Sequence, residues 1–104
     1  MIRKAFVMTL RPGNQEEYIK RHNPIWPEIE QVLKKHGVSH YSIFLERTTD
    51  KLLAYAVIES EEQWQRIAAT EPCRRWWAHM KELMLTNPDN SPAATALDEV
   101  FYLD

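Results

Sequence analysis

The sequence is poor in cysteine and glycine, the residues that form disulfide bonds and phosphate-binding loops. A single cysteine, Cys73, excludes an intrachain disulfide framework and a zinc site held by paired thiolates. Only 2 glycines are present, too few for a Gly-x-Gly-x-x-Gly fingerprint or a phosphate loop. The lone thiol is typical of a reducing compartment, so the expected location is cytoplasmic.

Long apolar runs and a charge surplus are also missing. No stretch approaches the ~20 apolar residues of a membrane span, and the N-terminus shows no signal-peptide core. The chain has 13 basic and 15 acidic residues, a net charge of −2, whereas nucleic-acid binders carry a basic surplus. We therefore expect neither a membrane nor a nucleic acid among the partners.

What the chain does contain is an ordinary globular mixture rich in aromatic residues. Hydrophobic residues make up 44% of the sequence and charged residues 27%, and 4 of the aromatic residues are tryptophans. No composition shift, linker or repeat divides the chain. The sequence therefore predicts a single domain over residues 1–104.

Apolar periodicity predicts the order strand, helix, strand, strand, helices, strand. The predicted strands cover residues 2–10, 41–45, 52–59 and 100–103. Capping boxes are expected at Asn14 with Glu17 and at Ser60 with Gln63. Two prolines interrupt the first helix, so a kink is expected near Asn23.

This order predicts an α+β fold of the ferredoxin-like kind, an antiparallel sheet with helices on one face. The other face of such a sheet is left uncovered by its own helices. With this aromatic content, we expect two copies of the chain to pair their sheets in a homodimer.

His22 is the most informative single residue for chemistry. It follows Tyr18 by one helical turn and precedes the kink, where a freed Lys20 carbonyl could orient a ring nitrogen. An imidazole with an ordinary pKa of ~6.5 suits acid–base work at neutral pH. The competing interpretation is a partly buried histidine satisfied by one hydrogen bond.

The pair Trp76 and Trp77 points in two directions about 100° apart on a predicted helix. At least one should face the sheet beside Cys73 and Met80. An indole there either fills the core or stacks on the C–H face of a sugar. Scattered histidines with a single cysteine predict no metal site. A pocket lined by aromatic rings, phenols and an imidazole suits a small, neutral, hydroxyl-rich ligand.

Several long blocks closely resemble the L-rhamnose mutarotase family, from end to end of the chain. They are Tyr18, residues 21–28 (RHNPIWPE), Tyr41, residues 73–77 (CRRWW), residues 87–92 (NPDNSP) and residues 99–103 (EVFYL). The resemblance implies a dimeric α+β barrel that interconverts the α and β anomers of L-rhamnose, an isomerase without a cofactor.

The resemblance also assigns roles to residues. His22 corresponds to the proton donor of the family, and the sugar-contacting positions correspond to Tyr18, Tyr41, Trp76 and Trp77. In the implied reaction an acid protonates the ring oxygen of the hemiacetal while a base removes the proton of the anomeric hydroxyl. A carboxylate, a tyrosine or a water could serve as that base.

Two other functions stay open on the same fold. Dimeric α+β barrels include haem-degrading and cofactor-free monooxygenases, in which a helix histidine and pocket tryptophans also occur. A non-catalytic sugar-binding module is the other alternative. The length of the matching blocks favours the mutarotase.

Overall fold

The computed structural model describes all 104 residues of the chain. Its strands are β1 (Ile2–Thr9), β2 (Ser39–Glu46), β3 (Lys51–Ile58) and β4 (Thr95–Leu97). Its helices are α1 (Gln15–Arg21), α2 (Pro27–Lys35), α3 (Glu61–Ile67) and α4 (Glu71–Met80), and the 3-10 turn Lys81–Leu83 follows α4 directly. None of these helices has the length and apolar character needed to cross a membrane.

The four strands form one antiparallel sheet in the order β2-β3-β1-β4. The long central ladder pairs Ile2 with Ile58 at one end and Thr9 with Lys51 at the other. With helices inserted between β1 and β2 and between β3 and β4, this is the expected ferredoxin-like α+β fold.

The two faces of the sheet differ sharply in exposure because successive side chains of a strand point to opposite sides. On the inner face, Leu52, Ala54, Ala56 and Ile58 of β3 are at most 1% exposed. On the outer face, the alternate residue Leu53 is 43% exposed. All four helices therefore contribute to one layer, and the outer face is left open.

The two prolines end the first helix rather than kink it. α1 stops at Arg21, and α2 begins with Pro27 as its first residue. Proline is tolerated there because the first backbone N–H groups of a helix have no helical acceptor. The expected kinked helix is therefore two helices joined by a turn around Asn23–Pro24.

Only one of the two expected helix caps forms. The Ser60 hydroxyl accepts a hydrogen bond from the Gln63 backbone N–H at 3.1 Å, which confirms the start of α3. Asn14 makes no side-chain cap. Its amide instead donates to the Arg11 carbonyl at 3.2 Å, because the preceding turn places that acceptor within hydrogen-bond distance.

The expected last strand at residues 100–103 is wrong. The free edge of β1 is already occupied by Thr95–Leu97, so the apolar tail finds no backbone partner within its own chain. Val100 is 93% exposed. The tail is held instead through Arg3, whose guanidinium bonds the Glu99 carboxylate at 2.7 and 2.8 Å and lies 3.6 Å from the Tyr102 ring centroid.

Candidate active site

A cleft of about 950 Å³ lies between the inner face of the sheet and the helical layer. Its lining is predominantly hydrophobic, with a small number of polar groups, which is the usual make-up of a small-molecule site. All five residues predicted for the site line this one cleft: Tyr18, His22, Tyr41, Trp76 and Trp77. The structure therefore brings together residues from α1, β2 and α4.

His22 is held at the end of α1 by two hydrogen bonds. Its backbone N–H donates to the Ile19 carbonyl at 3.1 Å, and its ring Nδ1 lies 2.9 Å from the Tyr18 carbonyl oxygen. A carbonyl only accepts, so Nδ1 carries the proton and Nε2 of the neutral ring has a free lone pair. The orienting carbonyl is thus that of Tyr18; the expected one, of Lys20, accepts instead from the Asn23 backbone N–H.

Burial lowers the pKa of His22 below its ordinary 6.5, and the hydrogen bond to the Tyr18 carbonyl opposes this only in part. The ring is therefore neutral at pH 7. A neutral imidazole with its lone pair aimed away from the Tyr18 carbonyl is able to accept a proton from a bound hydroxyl and to return it.

The imidazole sits inside a cluster of aromatic rings. The Tyr18 ring is 4.3 Å from it, centroid to centroid, with a 33° angle between the planes. The Trp76 indole meets it edge-on at 5.2 Å, and Trp26 in turn packs on Trp76 at 5.0 Å. One helical turn separates Tyr18 from His22, which places both rings on the same side of α1.

Two phenols offer hydrogen-bond donors to the cleft. Tyr18 is 6% exposed, and neither its hydroxyl nor that of Tyr41 forms a hydrogen bond within the protein. No fully buried side-chain oxygen lacks a hydrogen-bond partner, so these two unbonded hydroxyls must be accessible. Both hydroxyls are therefore reached from the cleft. Burial raises the pKa of Tyr18 and raises that of Tyr41 to about 12, so both keep their protons at neutral pH.

The two adjacent tryptophans pack in different places, as their directions on the helix require. Trp76 packs against the core cluster that contains Met80, on the side of His22. Trp77 packs against the cluster that contains Cys73. The expectation that one indole would share both neighbours is wrong, because Cys73 and Met80 belong to separate clusters.

One further tryptophan lines the cleft and another packs behind it, and the sequence assigns a site role to neither. Trp26 backs Trp76, and Trp64 lines the cleft beside Phe6 and Tyr41, at centroid distances of 5.9 and 6.1 Å. Trp26 lies in the block of residues 21–28 that resembles the mutarotase family, which could have flagged it. Nothing in the local pattern of Trp64 distinguishes it from an ordinary core residue.

Neither a metal cluster nor a reactive thiol is found. No three histidine, cysteine, aspartate or glutamate side chains lie close enough together to hold a metal ion. Burial raises the pKa of the Cys73 thiol to about 11, which keeps the sulfur protonated and unreactive. Within the aromatic part of this cleft, the groups available for chemistry are the His22 imidazole and the phenols of Tyr18 and Tyr41.

The family model described as L-rhamnose mutarotase matches residues 3–103. A protein named L-rhamnose mutarotase from Pectobacterium atrosepticum is 57% identical over 104 residues, covering 100% of both chains. The crystal structure of an L-rhamnose mutarotase from Formosa agariphila superposes with a TM-score of 0.92 at 40% identity, covering 100% of both chains.

A more distant likeness concerns the fold alone. An antibiotic biosynthesis monooxygenase superposes with a TM-score of 0.64, covering 96% of this chain and 99% of its own, but only 11% of the residues are identical. At that identity the shared architecture says nothing of the chemistry. The monooxygenase alternative is therefore not favoured.

Proposed function

The chain belongs to the L-rhamnose mutarotase family, and we infer from this that it is an isomerase that interconverts the α and β anomers of L-rhamnose. The observation that carries the proposal within the structure is the His22 imidazole, oriented by the Tyr18 carbonyl in an aromatic cleft with two unpartnered phenols. The domain is taken as the whole of residues 1–104, since the family model spans nearly all of them.

In the proposed mechanism His22 moves the proton of the anomeric oxygen. Nε2 accepts the proton of the anomeric hydroxyl as the bond between the anomeric carbon and the ring oxygen breaks, and the ring oxygen takes a proton from a phenol of the cleft, which becomes a phenolate. The open aldehyde turns about one bond. On closure His22 is the proton donor to the aldehyde oxygen, and the attacking sugar hydroxyl returns its proton to the phenolate. Each acid or base step of this kind contributes about 100- to 10,000-fold.

The phenols of Tyr18 and Tyr41 act on the other oxygen of the reaction, the ring oxygen of the sugar, as proton donors. Because both hydroxyls stay protonated and lack a protein acceptor, they are donors to the sugar's ring oxygen and hydroxyls. The carboxylates nearest along the chain do not compete for this role. Glu17 is bonded to Arg21 at 2.7 Å, and the only carboxylate on the cleft wall, Glu30, pairs with Lys34 where both side chains are exposed.

One indole is placed to hold the sugar by its C–H face. Trp76, whose ring already touches His22, is placed to stack on the ring of a bound sugar, and Trp77 closes the cleft wall further along. The chemistry consists of proton transfers alone, so no cofactor is assigned. A cytoplasmic location agrees with the free thiol of Cys73.

The outer face of the sheet supports a homodimer. The ladder aligns Val7, Leu53 and Phe44 in one row across three strands, and Tyr55, Ala5 and Leu97 in the next. Phe44 is 63% exposed although it is fully apolar. Apolar rows of this extent on a sheet favour an isologous contact with a second copy of the same face, over more than ~1,000 Å² in total.

The experiment that tests the function is anomer exchange in L-rhamnose, followed by saturation transfer between the two anomeric protons. The protein is expected to speed the exchange above its rate in buffer. Tight binding of the sugar without faster exchange would contradict the isomerase function and show a sugar-binding module instead.

A further inference from the structure

Arg21, the residue immediately before His22, ties the end of α1 to the end of α4. Its Nε lies 2.7 Å from Glu17 Oε2, its Nη1 2.6 Å from the His79 carbonyl oxygen, and its Nη2 2.9 Å from Glu82 Oε1. One guanidinium thus joins acceptors on α1, on α4 and on the 3-10 turn that follows it.

The burial of these groups is uneven. The Arg21 side chain is 16% exposed, whereas its carboxylate partners are 44% and 67% exposed. The His79 carbonyl belongs to the last turn of α4, where carbonyls have no helical donor of their own. A guanidinium presents its donors in a rigid fork, so these three bonds fix the distance between the two helix ends.

The catalytic ring and the stacking ring stand on those two ends. His22 follows Arg21 directly, and Trp76 lies one turn before His79, with its indole 5.2 Å from the imidazole. No other side-chain hydrogen bond connects α1 to α4. The relative position of the two rings therefore depends on this one side chain and on packing.

We propose that Arg21 is a positioning residue of the mutarotase site: its bonds across the two helix ends hold the His22 imidazole against Trp76 in the geometry that proton transfer needs. The role rests on the proposed function. A displacement of about 1 Å at a reacting group costs up to about 100-fold in rate, so loss of these bonds reaches the chemistry without touching the sugar.

Arg47, in the loop after β2, provides the control at the other end of α1. Its Nη1 lies 2.9 Å from Glu16 Oε2 and 3.3 Å from Gln15 Oε1, so it ties the start of α1 to the loop after β2. Removing this guanidinium deletes the same charge and its two contacts at the start of α1, but leaves the contact between His22 and Trp76 in place.

The test compares Arg21→Met, Arg21→Lys and Arg47→Met by kcat and KM for L-rhamnose and by the NMR shift of the His22 ring protons. These protons sense the ring currents of Tyr18 and Trp76 and report the geometry without turnover. In Arg21→Met we expect kcat to fall about 10- to 100-fold with little change in KM, and the His22 resonances to move. Arg21→Lys should recover part of the rate, and Arg47→Met should match the wild type in both readouts.

A folded Arg21→Met protein with wild-type kcat and unmoved His22 resonances would overturn the proposal. An equal loss of kcat in Arg47→Met would overturn it too, because the effect would then be a general loosening of α1. If Arg21→Met does not fold, Arg21→Lys decides by the same two readouts. Absence of exchange in the wild type would refute the proposed function instead, and the resonances would still report whether Arg21 places the ring.

Discussion

The His22 imidazole lies against the ring of Tyr18 at 4.3 Å between centroids, while its Nδ1 lies 2.9 Å from the carbonyl oxygen of that same tyrosine. One residue therefore sets both the plane of the imidazole and the nitrogen that carries its proton. The remaining nitrogen, Nε2, is left as the atom that exchanges protons with a bound sugar.

The pH dependence of exchange follows from this arrangement. Because burial lowers the pKa of His22 in the free protein and the mechanism begins from the neutral ring, kcat/KM should be flat near pH 7 to 8. It should fall on the acid side with a midpoint below 6.5. Exchange rates measured by NMR across pH 5 to 8 check this. A rate that rises as the pH falls would mean that the charged ring starts the reaction.

The free energy of unfolding should also depend on the protonation of His22. The unfolded His22 has its ordinary pKa of 6.5 and the folded one a lower value, so between the two the unfolded state binds more protons. This contribution to stability is complete above 6.5 and is lost as the pH falls through the folded pKa. In urea unfolding at pH 7.5 and pH 5, the loss should therefore be smaller in His22→Gln than in the wild type. Equal losses would show that His22 is not buried in the neutral form.

Trp76 and Trp77 should differ in function. Trp76 touches His22, whereas Trp77 packs with the cluster around Cys73. Trp76→Ala should therefore raise KM for L-rhamnose and abolish most of the fluorescence change on sugar binding. Trp77→Ala should chiefly lower Tm, since truncating a packed tryptophan costs about 3–5 kcal/mol. Sugar titrations of both variants that gave the same affinity loss would contradict the assignment of the stacking ring.

The outer sheet face should hold two copies together. A carboxylate buried in an apolar interface without a partner is strongly unfavourable, so Leu53→Asp should convert the homodimer into a 12.3 kDa monomer in sedimentation equilibrium. Lys20→Glu, an exposed change on the helical layer, is the charge control and should stay dimeric. A wild-type protein that sediments as a monomer at micromolar concentration would rule the interface out.

Related sugars should be ranked by the stereochemistry of their hydroxyls. L-Mannose differs from L-rhamnose only by one added hydroxyl, which an apolar pocket rejects by about 100-fold at most. L-Fucose places ring hydroxyls differently and leaves a buried donor or acceptor unpaired, at about 1–3 kcal/mol. We expect exchange in the order L-rhamnose, L-mannose, L-fucose. If L-fucose exchanged faster than L-rhamnose, the assignment of L-rhamnose as the substrate would be wrong, whereas the assignment of mutarotase chemistry would hold.

Much of this architecture was predictable because it rests on local pattern. Alternation gave the three long strands, and the Ser60 box marked the start of α3. The last strand was misplaced because residues 100–103 are apolar enough for a strand, whereas pairing depends on a free edge that Thr95–Leu97 already occupies. Arg21 could not be singled out either, since its acceptors at His79 and Glu82 are distant in sequence and meet it only through the fold.

The most direct test of the account is saturation transfer on L-rhamnose with the wild type, His22→Ala and His22→Gln. Both variants should keep the fold, since the change removes ring contacts with Tyr18 and Trp76 and one hydrogen bond at the wall of an open cleft, outside the two buried core clusters. Exchange in both should fall about 100-fold or more below the wild type, because glutamine restores a hydrogen bond but cannot carry the proton. Wild-type rates in the two variants would return His22 to the role of a buried structural residue and contradict the mechanism.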